Sequence, residues 1–281
     1  MGIQQTIFMT TENTKPDHVD YYFDGYLAQN MAVATRVIRK DWDMVFCIDG
    51  MEGTGKSVLA QQITKFCDPT LNIDRIVFTP REFRQAIMEA QPYQAVIYDE
   101  AYTGLNSRAT MSMINRTLVT MLAEIRQKNL FVFVVMPTFF DLDKYVALWR
   151  SRALIHVYTG DNFKRGFFAF YNADKKKRLY IDGKKYYNYG QPRPNFVGRF
   201  INHYVVDETE YKKKKRSALM DREKKTEEAE KRRELDAELF QRVMAMPDTI
   251  PHNIKMELLA MPRATYFRKL KRFNDNNDGL N

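Results

Sequence analysis

A glycine-rich turn lies between an apolar, strand-like run and a helix-like run of this chain. This arrangement restricts the folds that the chain can adopt. The run MVFCI (residues 44–48) is apolar, and DGMEGTGKS (residues 49–57) follows it directly. The spacing G-x-x-x-x-G-K-[ST] is satisfied by Gly50, Gly55, Lys56 and Ser57. A strand, a tight turn and a helix in this order predict an α/β fold.

The residue types of this turn suit a triphosphate. Glycines let backbone N–H groups turn inward, and the start of the following helix adds positive potential. Lys56 is placed to reach the β- and γ-phosphate oxygens, and Ser57 is placed to ligate Mg²⁺. The alternative is a structural turn that matches the spacing by chance, which the flanking strand and helix disfavour. We therefore predict that ATP and Mg²⁺ are bound by Gly50, Met51, Glu52, Gly53, Thr54, Gly55, Lys56, Ser57 and Val58.

Strand-like and helix-like patterns alternate around this turn. Further strands are predicted at RIVFT (75–79), AVIYDE (95–100), LFVFVV (130–135) and ALIHVY (153–158). Helices are predicted at 24–40, 57–66 and 80–90, and along a stripe formed by Met111, Ile114, Leu118, Met121, Leu122 and Ile125. Continuous apolar strands that alternate with helices indicate a parallel sheet covered on both faces.

An acidic pair, Asp99 and Glu100, ends the third strand-like run. Parallel strands bring their carboxyl ends to one edge of the sheet, so this pair is expected beside the glycine-rich turn. Asp99 would hold Mg²⁺ together with Ser57, and Glu100 would orient or deprotonate the attacking water. The glutamate favours hydrolysis over transfer to a small acceptor. The alternative is a surface pair that caps a strand.

Three more residues are candidates for the catalytic set. Thr138 follows the fourth strand, where it would sense the γ-phosphate or position water, unless it serves ordinary turn chemistry. Arg150 and Arg152 precede the fifth strand, and either one is a candidate arginine finger for a neighbouring subunit's nucleotide. The alternative for both arginines is a surface position or an internal ion pair.

Taken together, these motifs resemble the additional-strand, catalytic-glutamate P-loop ATPases over roughly residues 41–158. Within that class, residues 124–158 (EIRQKNLFVFVVMPTFFDLDKYVALWRSRALIHVY) are similar to the FtsK–HerA branch, especially Zot-like and viral DNA-packaging ATPases. The resemblance implies a RecA-like core over residues 24–160, ATP hydrolysis coupled to DNA movement, and a homo-oligomeric ring, expected to be a hexamer. Many relatives have glutamine where Thr138 stands.

The sequence carries few signs of a membrane or of an oxidising environment. Zot proteins usually carry a transmembrane segment, whereas the longest apolar run here is too short to cross a bilayer. The two cysteines, Cys47 and Cys67, lie in apolar surroundings and are predicted to be packed thiols. We therefore expect a cytoplasmic protein with no membrane partner, in the host cytoplasm if it is viral.

Outside the core, the sequence predicts four further regions. Residues 1–23 read as an irregular arm and residues 207–246 as an exposed charged helix or linker. Residues 161–206 predict a small β-hairpin extension, with Asp182-Gly183 as the turn of its second aromatic run. Its aromatic residues would either form the buried face of a small sheet or stack on nucleic acid.

The fourth region, residues 247–281, predicts a helix-turn-helix-like module with two short helices around Met261-Pro262. The net charge of +9 favours a polyanionic partner, and the second helix would lie in the major groove of double-stranded DNA. The predicted DNA contacts are Arg263, Thr265, Tyr266, Arg268, Lys269 and Lys271. The alternative is a basic helical hairpin that is solvated or packed on a partner subunit.

Three functional hypotheses follow. The leading one is a DNA-translocating or genome-packaging motor ATPase that acts as a ring. The alternative is a non-translocating, ATP-dependent DNA-binding switch in replication initiation, helicase loading or regulation. A small-molecule phosphotransferase is the third, and it accounts for neither Glu100 nor the basic tail.

Overall fold

The structure is a computed structural model that describes residues 16–99, 107–247 and 249–278. The chain divides into two compact units, Met1–Leu219 and Met220–Asn281.

The described part of the first unit is built around one seven-stranded sheet. Its strands are β1 (Met44–Asp49), β2 (Ile76–Val77), β3 (Ala95–Asp99), β4 (Phe131–Met136), β5 (Ser151–Tyr158), β6 (Phe167–Tyr171) and β7 (Phe196–Arg199). They lie in the order β2-β3-β4-β1-β5-β6-β7. β1 to β5 are mutually parallel, and β6 and β7 extend the sheet in antiparallel pairings. All five predicted core strands are therefore present.

Helices cover both faces of this sheet, as the continuous apolar strands predicted. The helices of the unit are α1 (Gly25–Ile38), α2 (Lys56–Cys67), α3 (Pro80–Glu89), α4 (Ser107–Gln127), α5 (Ala173–Gly183) and the start of α6 (Glu208–Met244). Along β1, Phe46 and Ile48 pack into the core that contains α1 and α2. The alternate residues Val45 and Cys47 pack into the core that contains α3, α4 and α5.

Local sequence explains where several of these helices begin. Asp24 caps α1 by accepting a hydrogen bond from the Leu27 N–H at 3.0 Å. Thr79 and Glu82 form a reciprocal capping box at α3, whose first residue is a proline. Such caps fix the helix starts independently of the packing that follows.

β4 lies in the sheet between the strand that precedes the glycine-rich turn and the strand that ends at Asp99. β4 pairs with β1 on one side and with β3 on the other, so an extra strand separates the glycine-rich turn from Asp99. The fold of the first unit is thus mixed α/β, consistent with a P-loop NTPase core.

The prediction of a separate β-hairpin extension was wrong. The run around Asp182-Gly183 forms α5 instead of a hairpin, because Asn172 caps the helix by accepting from the Lys175 N–H. The buried residues of α5 recur at helical spacing: Lys176, Leu179, Tyr180 and Gly183. The other aromatic run is β6, which adds to the core sheet next to β5.

The described end of the predicted N-terminal arm is packed on the core. Val19 and Tyr21 are buried, and the Tyr21 hydroxyl donates to the Gln62 carbonyl at 2.7 Å. The arm prediction therefore does not hold for residues 16–23, and the rest of the arm lies outside the described residues.

The second unit is helical and forms around the end of α6. It adds α7 (His252–Leu258) and α8 (Arg263–Asp278), and Met261-Pro262 lies between these two helices. Phe240 and Val243 are buried in this unit together with Tyr266. The predicted charged segment is a continuous helix, α6, with mostly exposed side chains. Among the described residues, no helix is both long and apolar enough to cross a membrane.

Candidate active site

The glycine-rich turn is a compact loop at the carboxyl end of β1. Gly50, Gly53 and Gly55 have φ angles of +142°, +75° and +98°, which favour glycine. A Cβ atom at Gly50 would lie 2.0 Å from the Val157 carbonyl oxygen, so no other residue fits there without a shift. Thr54 is buried and its hydroxyl donates to the Met51 carbonyl at 2.8 Å, which ties the loop together.

Lys56 begins α2 and folds back across the loop. Its Nζ donates to the carbonyl oxygens of Gly50 and Met51, both at 2.7 Å. Burial is the largest influence on this lysine and lowers its pKa, while the nearby Asp99 carboxylate acts in the opposite direction. The ammonium group thus lies inside the loop, where the sequence predicted a phosphate-binding lysine.

Asp99 and Ser57 meet at the same edge of the sheet, as the parallel topology predicted. Asp99 is almost fully buried at the end of β3. Lys215 of α6 joins the two residues, because its Nζ lies 3.2 Å from Ser57 Oγ and 3.5 Å from Asp99 Oδ2. Glu100, the predicted catalytic glutamate, lies outside the described residues.

These residues fit the predicted ligands. A buried carboxylate beside a hydroxyl is a donor set that suits Mg²⁺, which prefers oxygen ligands. The loop adds a lysine ammonium and the start of α2, both of which favour phosphate. The set can therefore hold a Mg²⁺-nucleotide, with the loop, Lys56, Ser57 and Asp99 as the binding residues.

The start of α6 is part of this site, which the sequence prediction missed. Tyr211 is buried and its hydroxyl donates to Asp99 Oδ2 at 2.5 Å. Burial is the largest cause that raises the pKa of Tyr211, and the Asp99 carboxylate adds to it. The available signal was a tyrosine that opens the lysine run YKKKK, a position suited to burial in an otherwise solvated segment.

Two further residues approach the loop, one just before β6 and one just after β7. The Phe200 ring lies 3.1 Å from the place of a Cβ at Gly55. An Arg165 guanidinium nitrogen lies 3.6 Å from the place of a Cβ at Gly53. No pattern in the sequence marked either residue, since each lies far along the chain from the loop.

Thr138 belongs to a second polar cluster that is centred on Asp49. Asp49 is fully buried and accepts from the Phe139 N–H at 2.8 Å and from the Tyr189 hydroxyl, and its Oδ1 lies 2.9 Å from His156 Nδ1. Thr138 Oγ1 lies 3.1 Å from the Tyr189 hydroxyl and also accepts from the Phe140 N–H. Thr138 therefore caps the turn after β4, and its role as a γ-phosphate sensor stays a prediction.

Arg150 and Arg152 lie at the opposite edge of the sheet, next to the amino-terminal end of β1. Arg150 donates to Asp43 Oδ2 at 2.5 Å and to the Leu122 carbonyl at 2.8 Å. Arg152 lies 3.6 Å from Asp43 Oδ1 and over the Trp42 ring. Both arginines form the internal ion pairs that were the alternative interpretation, and a role on a neighbouring subunit's nucleotide stays a prediction.

The predicted DNA-contacting residues of α8 differ in their exposure. Arg263, Arg268 and Lys271 are exposed, whereas Thr265 and Lys269 are half-buried. Tyr266 does not fit a base contact because its side chain is fully buried and its hydroxyl lies 2.8 Å from His252 Nδ1. Its aromatic ring serves the core of the second unit, next to Phe240.

Comparisons with known proteins found a likeness among solved structures but none in sequence. No protein family matches the sequence, and no curated protein is significantly similar to it. Among solved structures, the chain is similar to the genome packaging NTPase B204 from Sulfolobus turreted icosahedral virus 2 in complex with AMP. The identity is 16%, the alignment covers 48% of this chain and 95% of the viral chain, and the TM-score is 0.29. A likeness at this TM-score supports no conclusion about function, so the functional inference rests on the site residues.

Proposed function

We propose that this chain is a Mg²⁺-dependent ATPase that couples hydrolysis to DNA handling, as a ring-forming motor that translocates or packages double-stranded DNA. The observation that carries the proposal is the meeting of Lys56, Ser57 and Asp99 around a glycine loop at the carboxyl edge of the sheet. Residues from the helix α2 and the strand β3 converge there with the loop, which a structural turn does not require.

Each residue has a defined task in this proposal. The loop N–H groups and Lys56 bind the phosphate oxygens, and Ser57 and Asp99 hold the metal. Bound Mg²⁺ would neutralise charge on the phosphate oxygens. Glu100, next to Asp99 in the sequence, would orient or deprotonate the attacking water.

The coupling to DNA is supported by charge. The chain carries a net charge of +9, and Arg263, Arg268 and Lys271 are exposed on one helix. Exposed cations of this kind neutralise backbone phosphates. In a ring, Arg150 or Arg152 would serve a neighbouring subunit's site.

The first prediction concerns Lys56. Lys56→Ala should reduce phosphate release from Mg·ATP by at least about a hundredfold, because removal of one charge-stabilising group commonly costs that much. Lys65→Ala on the same helix is the matched control, since the Lys65 amine donates to the Pro69 carbonyl instead of the loop. Equal turnover in the Lys56 variant and the wild type would contradict the proposal.

Assays with duplex DNA distinguish the proposed motor from the two alternative functions. A motor should hydrolyse ATP faster when duplex is added and should displace a bound third strand as it moves. Strong protection of one sequence without displacement would support a DNA-binding switch. Phosphate transfer to a nucleoside would support a phosphotransferase.

A further inference from the structure

The first turns of α6 place a lysine between the two residues that are proposed to hold the metal. Lys215 Nζ lies 3.2 Å from Ser57 Oγ, 3.5 Å from Asp99 Oδ2 and 3.2 Å from the Tyr211 hydroxyl. Tyr211, one helical turn earlier, donates its own hydrogen bond to the same Asp99 oxygen. The Lys215 ammonium group therefore contacts both Ser57 and Asp99, the two proposed metal ligands.

Neighbouring contacts hold this part of α6 in place. Lys214 Nζ donates to the carbonyl oxygens of Ile73 and Ile76 at 2.9 and 2.8 Å. The Tyr211 ring packs beside those of Phe78 and Tyr204. These contacts fix the backbone from which Lys215 extends, so its position is not that of a freely moving surface lysine.

The same oxygens cannot serve both cations at once. Two cations that share Ser57 Oγ and Asp99 Oδ2 would lie within about 4 Å of each other and repel strongly. The Lys215 side chain is 31% exposed, so it has a path toward water along which it can leave.

We propose that Lys215 is a tethered cation that competes with Mg²⁺ for the Ser57–Asp99 pair. Mg²⁺-nucleotide binding then requires the Lys215 ammonium group to leave Ser57 and Asp99. Because of this competition, the site binds Mg²⁺ more weakly than the same two oxygen ligands would bind it without Lys215. This inference rests on the proposed function. It makes the start of α6 a part of the chain that responds to site occupancy.

The test is a Mg²⁺ titration of binding by a fluorescent, non-hydrolysable ATP analogue to the full chain. Lys215→Met should lower the Mg²⁺ concentration for half-maximal binding by about fivefold or more, the size of a typical coupling between two sites. Lys213→Met is the matched control, because Lys213 is exposed on the same helix and its loss removes the same charge. The control should leave the midpoint unchanged.

A second variant keeps the experiment informative if the Lys215→Met protein does not fold. Lys215→Gln keeps a polar side chain, and it should shift the midpoint in the same direction. An unchanged or raised midpoint in folded Lys215→Met and Lys215→Gln would overturn the tethered-cation proposal alone. Absence of analogue binding by the wild type at every Mg²⁺ concentration would overturn the proposed function as well.

Discussion

At the scale of single residues, Gly50 sets the geometry of the site. Its φ of +142° and the nearby Val157 carbonyl leave no room for a side chain. Lys56 and the loop carbonyls depend on this turn, since Lys56 Nζ donates to the Gly50 carbonyl itself. The backbone conformation at Gly50 therefore supports the whole loop that is proposed to bind phosphate.

The second prediction tests this dependence. Gly50→Ala should lower the free energy of unfolding by at least about 2 kcal/mol, because the new methyl group forces the loop or β5 to shift. It should also weaken nucleotide binding. Gly25→Ala is the control, since Gly25 begins α1 with nothing within 4 Å of the added Cβ. Chemical denaturation should find the control neutral or stabilised by up to about 1 kcal/mol, and an equally stable Gly50→Ala would contradict the argument.

At the scale of elements, Asp43 joins several parts of the first unit. It directly precedes β1, and its main partner Arg150 ends the turn before β5 and also donates to a carbonyl of α4. Asp43 is almost fully buried, so its charge requires these partners. Arg152 contributes less to the stabilisation of the Asp43 carboxylate, because its side chain is 33% exposed and its guanidinium nitrogen lies 3.6 Å from Asp43 Oδ1.

The third prediction separates the two arginines. Arg150→Ala should destabilise the fold by about 3–5 kcal/mol because it leaves a buried carboxylate without its main partner. Arg152→Ala should cost about 1 kcal/mol or less. Thermal unfolding of both variants, followed by ATPase assays on the folded fraction, checks this. A stable Arg150→Ala protein that has lost hydrolysis would instead assign Arg150 as the finger.

The helices and strands also show which parts of the fold can be predicted from sequence patterns. Apolar runs and helical periodicity predicted the five core strands and, to within about one residue, the starts of α1, α2 and α3, because these signals are local. α5 was mispredicted because Asp182-Gly183 has the composition of a hairpin turn. The burial of Leu179 and Tyr180 against the core favours a helix there, and such burial depends on distant residues.

At the scale of the whole molecule, the proposed DNA binding depends on charge that the second unit presents to solvent. α8 exposes Arg263, Arg268 and Lys271, while Tyr266 is committed to the unit's own core. The six contacts predicted from sequence therefore comprise three exposed cations, two half-buried residues (Thr265 and Lys269) and one buried aromatic residue. Phosphate contacts by the cations would add affinity that is independent of sequence and sensitive to salt.

The fourth prediction measures that affinity. The triple variant Arg263→Ala, Arg268→Ala and Lys271→Ala should bind duplex DNA more weakly. The slope of log affinity against log salt should fall by about three, one for each lost phosphate contact. Tyr266→Phe is the control, because it removes only the hydroxyl near His252 and should leave the slope unchanged. Anisotropy titrations at several salt concentrations would contradict this assignment if the triple variant kept the wild-type slope.

The amino-acid order alone determined the glycine-rich loop, the parallel strands and the edge where Asp99 meets Ser57. Those features follow from short-range patterns of glycine and apolar residues, together with the geometry of parallel strands. Only the tertiary structure decided that Lys215 and Tyr211 enter the site, that Asp43 pairs with Arg150, and that Tyr266 is interior. Each of these contacts joins residues that are far apart in the chain or gives a polar group a buried partner, and periodicity carries no information about which partner that is.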